Sequence, residues 1–484
     1  MLWPAVFMTA CQQAVLPAPG AAALTSRPVR VGVVVTRLEG GAGVLALRGA
    51  RVLDPGSCQA TIITGSGSGR LLDAAAAAGL EVLVEPALRA PIAPRDDLVA
   101  LRRLEALFRG RGFDVVHTHC AKAGALGRIA ASRAAVPRIV HTYHGFPFHD
   151  FQSAFRRRAY VSIERRLGRI TDVALCVGAG VAAEAIRRKL IAPERARTIG
   201  VAVDEAAGAG KTTGPGGTGD PVRARLRARA ALGLPAGATV VGAVGRLTFQ
   251  KAPEDFVLAM RQVGRPGAIG VWIGGGELAG RMSQLASSTG GTGGMGRAGG
   301  PGGAGDPGGA GGPGGAGGIG GPGGVSIRLP GERADACEVM SAFDVFVLPS
   351  RYEGLPTVIV EAMSRGVPVV ATAVNSVPDL VIPGETGLLV PPRQPAQLAA
   401  AIRYLLDRPA LAGQMAERAR RRVAGRYGAG ELRDSLMAAY MAEPPELLST
   451  RATHGKPGDA KPDSYDARMI SNPSAVAPMH DDMS

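Results

Sequence analysis

Two long stretches of the chain alternate short apolar runs with segments of helical period. The first covers residues 29–205 and opens on VRVGVVVT (29–36), a continuous β-branched run. Such a run fits a parallel strand buried on both faces. Similar runs follow at 60–64, 81–85, 114–119, 138–144 and 172–177, with helical stretches such as 96–110 and 123–135 between them. The alternation restarts in residues 223–442, with strands expected at 239–246, 268–276, 326–331, 344–350, 367–372 and 386–391. Strands alternating with helices predict an α/β protein with parallel sheets. Two such halves would face a central cleft, because ligands of open α/β sheets bind beyond the carboxyl ends of the strands.

Four segments break the pattern. Residues 1–28 are expected to be an unstructured leader. Their apolar start, MLWPAVFMTAC, lacks the basic region of a secretory signal. Residues 206–222 are rich in Gly, Thr and Pro and read as a linker. Residues 289–325 form a low-complexity insert, in which Gly290 to Val325 make twelve unbroken Gly-X-Y triplets. Collagen has that period, but proline stands only at 301, 307, 313 and 322. An extended run of this length would separate its ends by about 100 Å, at ~3 Å per residue. A solvated loop grown by repeat expansion is expected instead, since lengthening a surface loop costs little closure entropy. The tail, 443–484, is polar and aperiodic and is expected to be disordered.

Composition narrows the partners. The formal net charge of +15 favours acidic ones such as nucleotides, nucleic acid or an anionic membrane face. Free use of arginine in a GC-rich genome gives the same excess. Aromatic residues are only 4% of the chain, and no stacking platform or recognition module for nucleic acid stands out. The five cysteines are odd in number and form no C-x-x-C pair. That points to a reducing, cytoplasmic compartment without disulfides. No apolar run is long enough for a transmembrane helix.

The richest candidate chemistry lies in SRYEGLPTVIVEAMSRGVP (350–368). It leaves the carboxyl end of an apolar strand. Pro356 suits a first helical turn, and Gly366 with Pro368 ends the helix, which is expected at about 356–365. Glu353 then precedes the helix and Glu361 lies in its second turn. The helix start at Gly354–Thr357 offers unpaired amides to an anion, while the glutamates can accept hydrogen bonds from hydroxyls. A sugar nucleotide, with phosphates between two hydroxylated rings, suits that pattern; an ordinary surface helix with scattered acids also fits the spacing. Arg246 and Lys251 follow the strand at 239–246, where two cations could neutralise a diphosphate or remain as solvated surface charges. RLEGGAG (37–43) reads as a tight glycine turn after the first strand.

In their order along the chain these stretches resemble the family 4 glycosyltransferases, retaining enzymes of the GT-B fold with two Rossmann-like, doubly wound domains. The matching motifs are EGGAG (39–43), DVVHTHCAKAG (114–124), VHTYHGFPFH (140–149), VGRLTFQKAPEDFV (244–257), IGGGEL (273–278), FVLPSRYEGLPTVIVEAMSRGVPVVAT (346–372) and GETGLLVPP (384–392). The resemblance implies an N-terminal acceptor-side domain (29–205) and a C-terminal donor-binding domain (223–442). It implies that Glu353 meets the donor sugar hydroxyls and that Glu361 holds the ribose. Arg246, Lys251 and the amides of Gly354 and Leu355 would hold the diphosphate. Gly41 and Gly274 would line the donor, and His144 would stand beside the donor sugar, making His144 and Glu353 the catalytic pair. The sequence departs from the family pattern at Asn375-Ser376, where many relatives have Gly-Gly, and at Asp379, where glutamate is frequent. TIGVAVD (198–204) also lacks the common Asn-Gly-Val-Asp.

The implied reaction transfers a sugar from a nucleoside-diphosphate sugar, uridine by default, to an acceptor hydroxyl with retention, in polysaccharide, glycolipid or glycoconjugate synthesis. It needs no cofactor. No D-x-D motif precedes a strand end, so no metal-bridged diphosphate is expected. His117, His119, His141 and His144 could instead gather round zinc, or serve as hydrogen-bonded walls. Lys122 either caps the helix at 123–135 or faces the cleft. FRRRAYVSIERRLGRITD (155–172) is either an amphipathic helix for an anionic membrane carrying a lipid-linked acceptor, or a domain helix with a solvated basic face. Rival readings are a non-catalytic relative, a basic nucleic-acid binder and a collagen-like structural protein.

Overall fold

The computed structural model describes residues 27–67, 69–200, 220–287 and 324–441. The leader up to residue 26, most of the expected linker, the glycine-rich insert and the tail lie outside the described residues.

Each half is built on one parallel sheet. The first contains β1 (Val29–Val35), β2 (Cys58–Thr64), β3 (Glu81–Val84), β4 (Val115–His119), β5 (Arg138–Tyr143), β6 (Val173–Cys176) and β7 (Ala196–Thr198), in the order β3-β2-β1-β4-β5-β6-β7. The second contains β8 (Val240–Val244), β9 (Ile269–Ile273), β10 (Ser326–Gly331), β11 (Val345–Leu348), β12 (Val369–Thr372) and β13 (Leu388–Val390), in the order β10-β9-β8-β11-β12-β13. The two sheets are wound alike, and in each the order reverses beside the first strand. Such a reversal opens a crevice at the carboxyl ends of the strands. These are two Rossmann-like halves.

The apolar runs became strands because both faces are covered: β4, β6, β8, β9, β11 and β12 are buried along their whole length. β7 was not foreseen, because its three residues, Ala-Arg-Thr, carry no apolar run. Proline starts several helices, at Pro94, Pro221, Pro253, Pro395 and Pro409, where its missing N–H costs no hydrogen bond. Two local expectations shift. RLEGGAG is not a free turn, since the Gly40–Val52 helix starts inside it. The helix after Glu353 spans Thr357–Ser364, so Pro356 is its extended N-cap residue and lies outside the first turn.

One apolar cluster runs through both halves, from Val33 and Leu45 to Ile359 and Met363. The Ala429–Met441 helix returns to the first half, where Tyr440 Oη lies 2.8 Å from His117 Nδ1. The Ala154–Arg169 helix is docked by a charge as well as by apolar groups. Its Glu164 is buried and accepts a 2.9 Å hydrogen bond from Arg128, which has no exposed side-chain surface. Arg128 also donates to the Gly124 carbonyl, and Tyr143 Oη donates to Glu164. Val161 and Leu167 face the interior, whereas Phe155 is 82% exposed.

Candidate active site at the seam between the halves

β11 delivers Ser350, which is fully buried, and then the loop carrying Glu353. The Glu353 carboxylate is almost enclosed. Its Oε1 accepts from Ser350 Oγ at 2.6 Å and from Lys251 Nζ at 2.5 Å. Gln250 Nε2 donates to the Tyr352 carbonyl at 3.1 Å and approaches Glu353 Oε2 at 3.4 Å. The loop after β8 and the loop after β11 are therefore tied together at the first predicted pair, Lys251 and Glu353. Arg246 lies on the same loop and is exposed; it faces Tyr352, whose phenol burial pushes up against the opposing charge of Arg246.

Glycines permit this close assembly. A Cβ on Gly274 would stand 2.1 Å from the Gly245 carbonyl oxygen, so Gly274 lets the loop after β9 pack on the loop after β8. A Cβ on Gly354 would stand 1.8 Å from the main-chain oxygen of His144. Gly354 is thus one of the points where the second half touches the first. The Leu355 side chain is buried in the core, and the amides of Gly354 and Leu355 have no partner among the described residues. Gly41 lies in the first turn of the Gly40–Val52 helix with open space around it, so packing does not demand a glycine there.

Glu361 lies within the Thr357–Ser364 helix, about 6 Å along its axis from Thr357. Its Oε1 lies 4.0 Å from Arg48 on the Gly40–Val52 helix of the other half. Sequence reasoning assigned no role to Arg48. It also passed over the contacts of the departing residues. Asn375 Oδ1 accepts the Glu353 amide at 2.8 Å; Ser376 Oγ and Asp379 Oδ2 each accept an amide, from Val181 and Gly180, at 3.1 Å. The departures from Gly-Gly and Glu were the available signal. Aromatic rings close the seam further along: His149 stacks on Tyr352 at 4.5 Å, and Phe151 meets Phe249 edge-on at 5.4 Å.

The histidines divide by strand face. His117, His119 and Thr142 share one face, while Thr118 and His141 share the other, as the β4–β5 register requires. The four imidazoles are therefore not one cluster. His141 bonds Thr118 Oγ1 at 2.9 Å, and His117 bonds Tyr440 and Thr142. His119 Nδ1 lies 2.8 Å from His144 Nε2. Burial pushes His144 down to about 4, so at neutral pH it is an uncharged hydrogen-bonding group. His117 is pushed down to about 3 for the same reason, with the neighbouring His144 adding to the effect. Among the described residues no three His, Cys, Asp or Glu side chains are grouped as they would be round a metal ion. Lys122 has a partner that neither expectation named: its Nζ pairs with buried Asp97 at 2.5 Å.

The family model for Glycosyltransferase Family 4 matches residues 39–207, and that for Glycosyl transferases group 1 matches residues 321–408. The chain is 30% identical over 352 residues to a D-inositol 3-phosphate glycosyltransferase of Kineococcus radiotolerans, covering 69% of this chain and 73% of the relative. It is 28% identical over 283 residues to the Escherichia coli UDP-Gal:alpha-D-GlcNAc-diphosphoundecaprenol alpha-1,3-galactosyltransferase, covering 58% of this chain and 62% of that protein. Its fold is similar to that of Anabaena HepE, solved in complex with UDP and glucose. The TM-score is 0.65 at 18% identity, over 87% of this chain and all of that one. With two Rossmann-like sheets of the same winding and both family models in place, the chain belongs to the family 4, group 1 glycosyltransferases and has the GT-B fold.

Proposed function

We propose that this glycosyltransferase moves a sugar from a nucleoside-diphosphate sugar, with UDP as the nucleotide, to an acceptor hydroxyl, retaining the anomeric configuration. The observation that carries the reading is the meeting of Lys251, Glu353, the Gly354 turn and the His144 carbonyl at one point of the seam. Lys251 reaches the Glu353 loop that precedes the Thr357–Ser364 helix, and Arg246 lies on the same loop as Lys251. Lys251 has three donors and gives one to Glu353, which leaves two for phosphate oxygens. The Gly354 and Leu355 amides add donors at the positive end of the helix. Glu361, one turn further on, takes the ribose hydroxyls, and Arg48 fixes its direction.

In this scheme the bond from C1 to the diphosphate oxygen breaks and negative charge grows on the leaving group. Fixed cations and amides stabilise that charge as it develops, which lowers the barrier. They take the part a divalent ion plays elsewhere, so EDTA should leave the rate unchanged. The acceptor oxygen attacks C1 from the same face, and the departing phosphate oxygen takes its proton. Neutral His144 and the Glu353 carboxylate hold the sugar hydroxyls. The relatives act on an inositol phosphate and on a diphosphoundecaprenol-linked sugar by their names. For this chain a lipid-linked or soluble acceptor in envelope polysaccharide, glycolipid or glycoconjugate synthesis follows. The Ala154–Arg169 helix supports peripheral contact with an anionic, cytoplasmic membrane face, because Phe155 and several arginines point outward from a well-docked helix.

The test is release of UDP from UDP-glucose, UDP-galactose and UDP-N-acetylglucosamine, with and without acceptor extracts. At least one donor should be consumed, and Lys251→Ala and Glu361→Ala should each reduce its use by tenfold or more. Failure to bind or consume any nucleotide sugar would instead support a non-catalytic relative.

A further inference from the structure

The Glu353 loop is held from outside its own strand. The Glu353 N–H donates to Asn375 Oδ1 at 2.8 Å, and Thr372 Oγ1 donates to the Ser350 carbonyl at 2.6 Å. Both acceptors and donors on the far side belong to β12 and the turn that follows it. Asn375 sits in that turn with φ of +46°, a left-handed conformation that asparagine tolerates better than most residues. Its main chain meets the opposite half: a Cβ on Gly180 would stand 2.5 Å from the Asn375 carbonyl oxygen. The next residue, Ser376, accepts the Val181 amide. One residue therefore touches the Glu353 loop by its side chain and the other half by its backbone.

We propose that Asn375 is a positioning residue for the transfer reaction. Its side-chain carbonyl sets the Glu353 loop, and hence the aim of the carboxylate, while its backbone rests on the first half. The inference depends on reading Glu353 as the donor-sugar residue. Glycine here would keep the left-handed backbone without strain and lose the acceptor. Aspartate would keep both the conformation and an acceptor oxygen.

The experiment compares the full chain with N375G, N375D and E353Q. Hydrogen exchange of the peptide spanning 350–355 reads the bond itself. The Glu353 amide should exchange at least tenfold faster in N375G, and at nearly the parent rate in N375D. Kinetics use whichever of UDP-glucose, UDP-galactose and UDP-N-acetylglucosamine the parent turns over fastest. N375G should lower kcat roughly tenfold with little change in KM, N375D should keep most of it, and the N375G melting midpoint should stay within a few degrees of the parent. Parent-like exchange in N375G, or a loss of kcat shared equally by N375D, overturns the proposal. Parent-like kcat in N375G beside an inactive E353Q overturns it alone. Parent-like kcat in E353Q overturns the reading of Glu353 on which it rests.

Discussion

Lys251 and Glu353 show how one buried ion pair can serve both stability and chemistry. Both side chains are largely buried, at 14% and 5% exposure. Removing the lysine leaves a carboxylate enclosed without its cation, which costs about 3–5 kcal/mol in comparable pairs. Lys251→Ala should therefore lower the denaturant midpoint as well as donor use. Glu353→Gln, which keeps an acceptor for Ser350 Oγ, should cost less stability while still impairing transfer. Chemical denaturation of both variants checks this, and equal stability loss would contradict it. The histidines give a pH prediction. His117 and His144 are pushed by burial to about 3 and about 4, and burial also lowers His119 and His141. Unfolded histidine takes its proton near pH 6.5. Below that value the unfolded chain binds more protons than the folded one, so stability is full above pH 6.5 and falls towards pH 4. The melting midpoint should drop by several degrees between pH 7.5 and pH 5.5. A flat profile would mean that these rings are not neutral in the folded protein.

The elements explain what was legible in the sequence and what was not. The strands were readable because both sheet faces are covered, so β-branched residues run without interruption in VRVGVVV and DVFVL. The helix after Glu353 was readable from Pro356 and Gly366, with an error of one residue at each end. The split of the histidines needed the register between β4 and β5, which no single strand contains. The partners of Lys122, Glu361 and Asn375 come from distant segments, and spacing carries no trace of them. Element packing makes two further predictions. Gly180→Ala would place a methyl 2.5 Å from the Asn375 carbonyl, forcing backbone apart at the residue that also holds the Glu353 amide. It should cost about 1–3 kcal/mol and reduce UDP release; unchanged melting and turnover would show that the contact is dispensable. Glu164→Ala should destabilise by about 3–5 kcal/mol, because Arg128 would remain buried and unpaired. A denaturant titration with an unchanged midpoint would refute that account of how the basic helix is docked.

Across the whole molecule, two similarly wound sheets meet through glycine contacts, two amide hydrogen bonds and an aromatic seam. The outward basic face of the Ala154–Arg169 helix should bring the protein to vesicles containing anionic lipid, with weaker pelleting for Phe155→Ser and at high salt. Pelleting that ignores lipid charge would leave this face as a solvated surface. A crystal structure of the complex with UDP tests whether the seam holds the donor. The pyrophosphate should lie within hydrogen-bond reach of Arg246, Lys251 and the Gly354 and Leu355 amides, with the ribose on Glu361. UDP bound away from these residues, or in contact with neither cation, would contradict it.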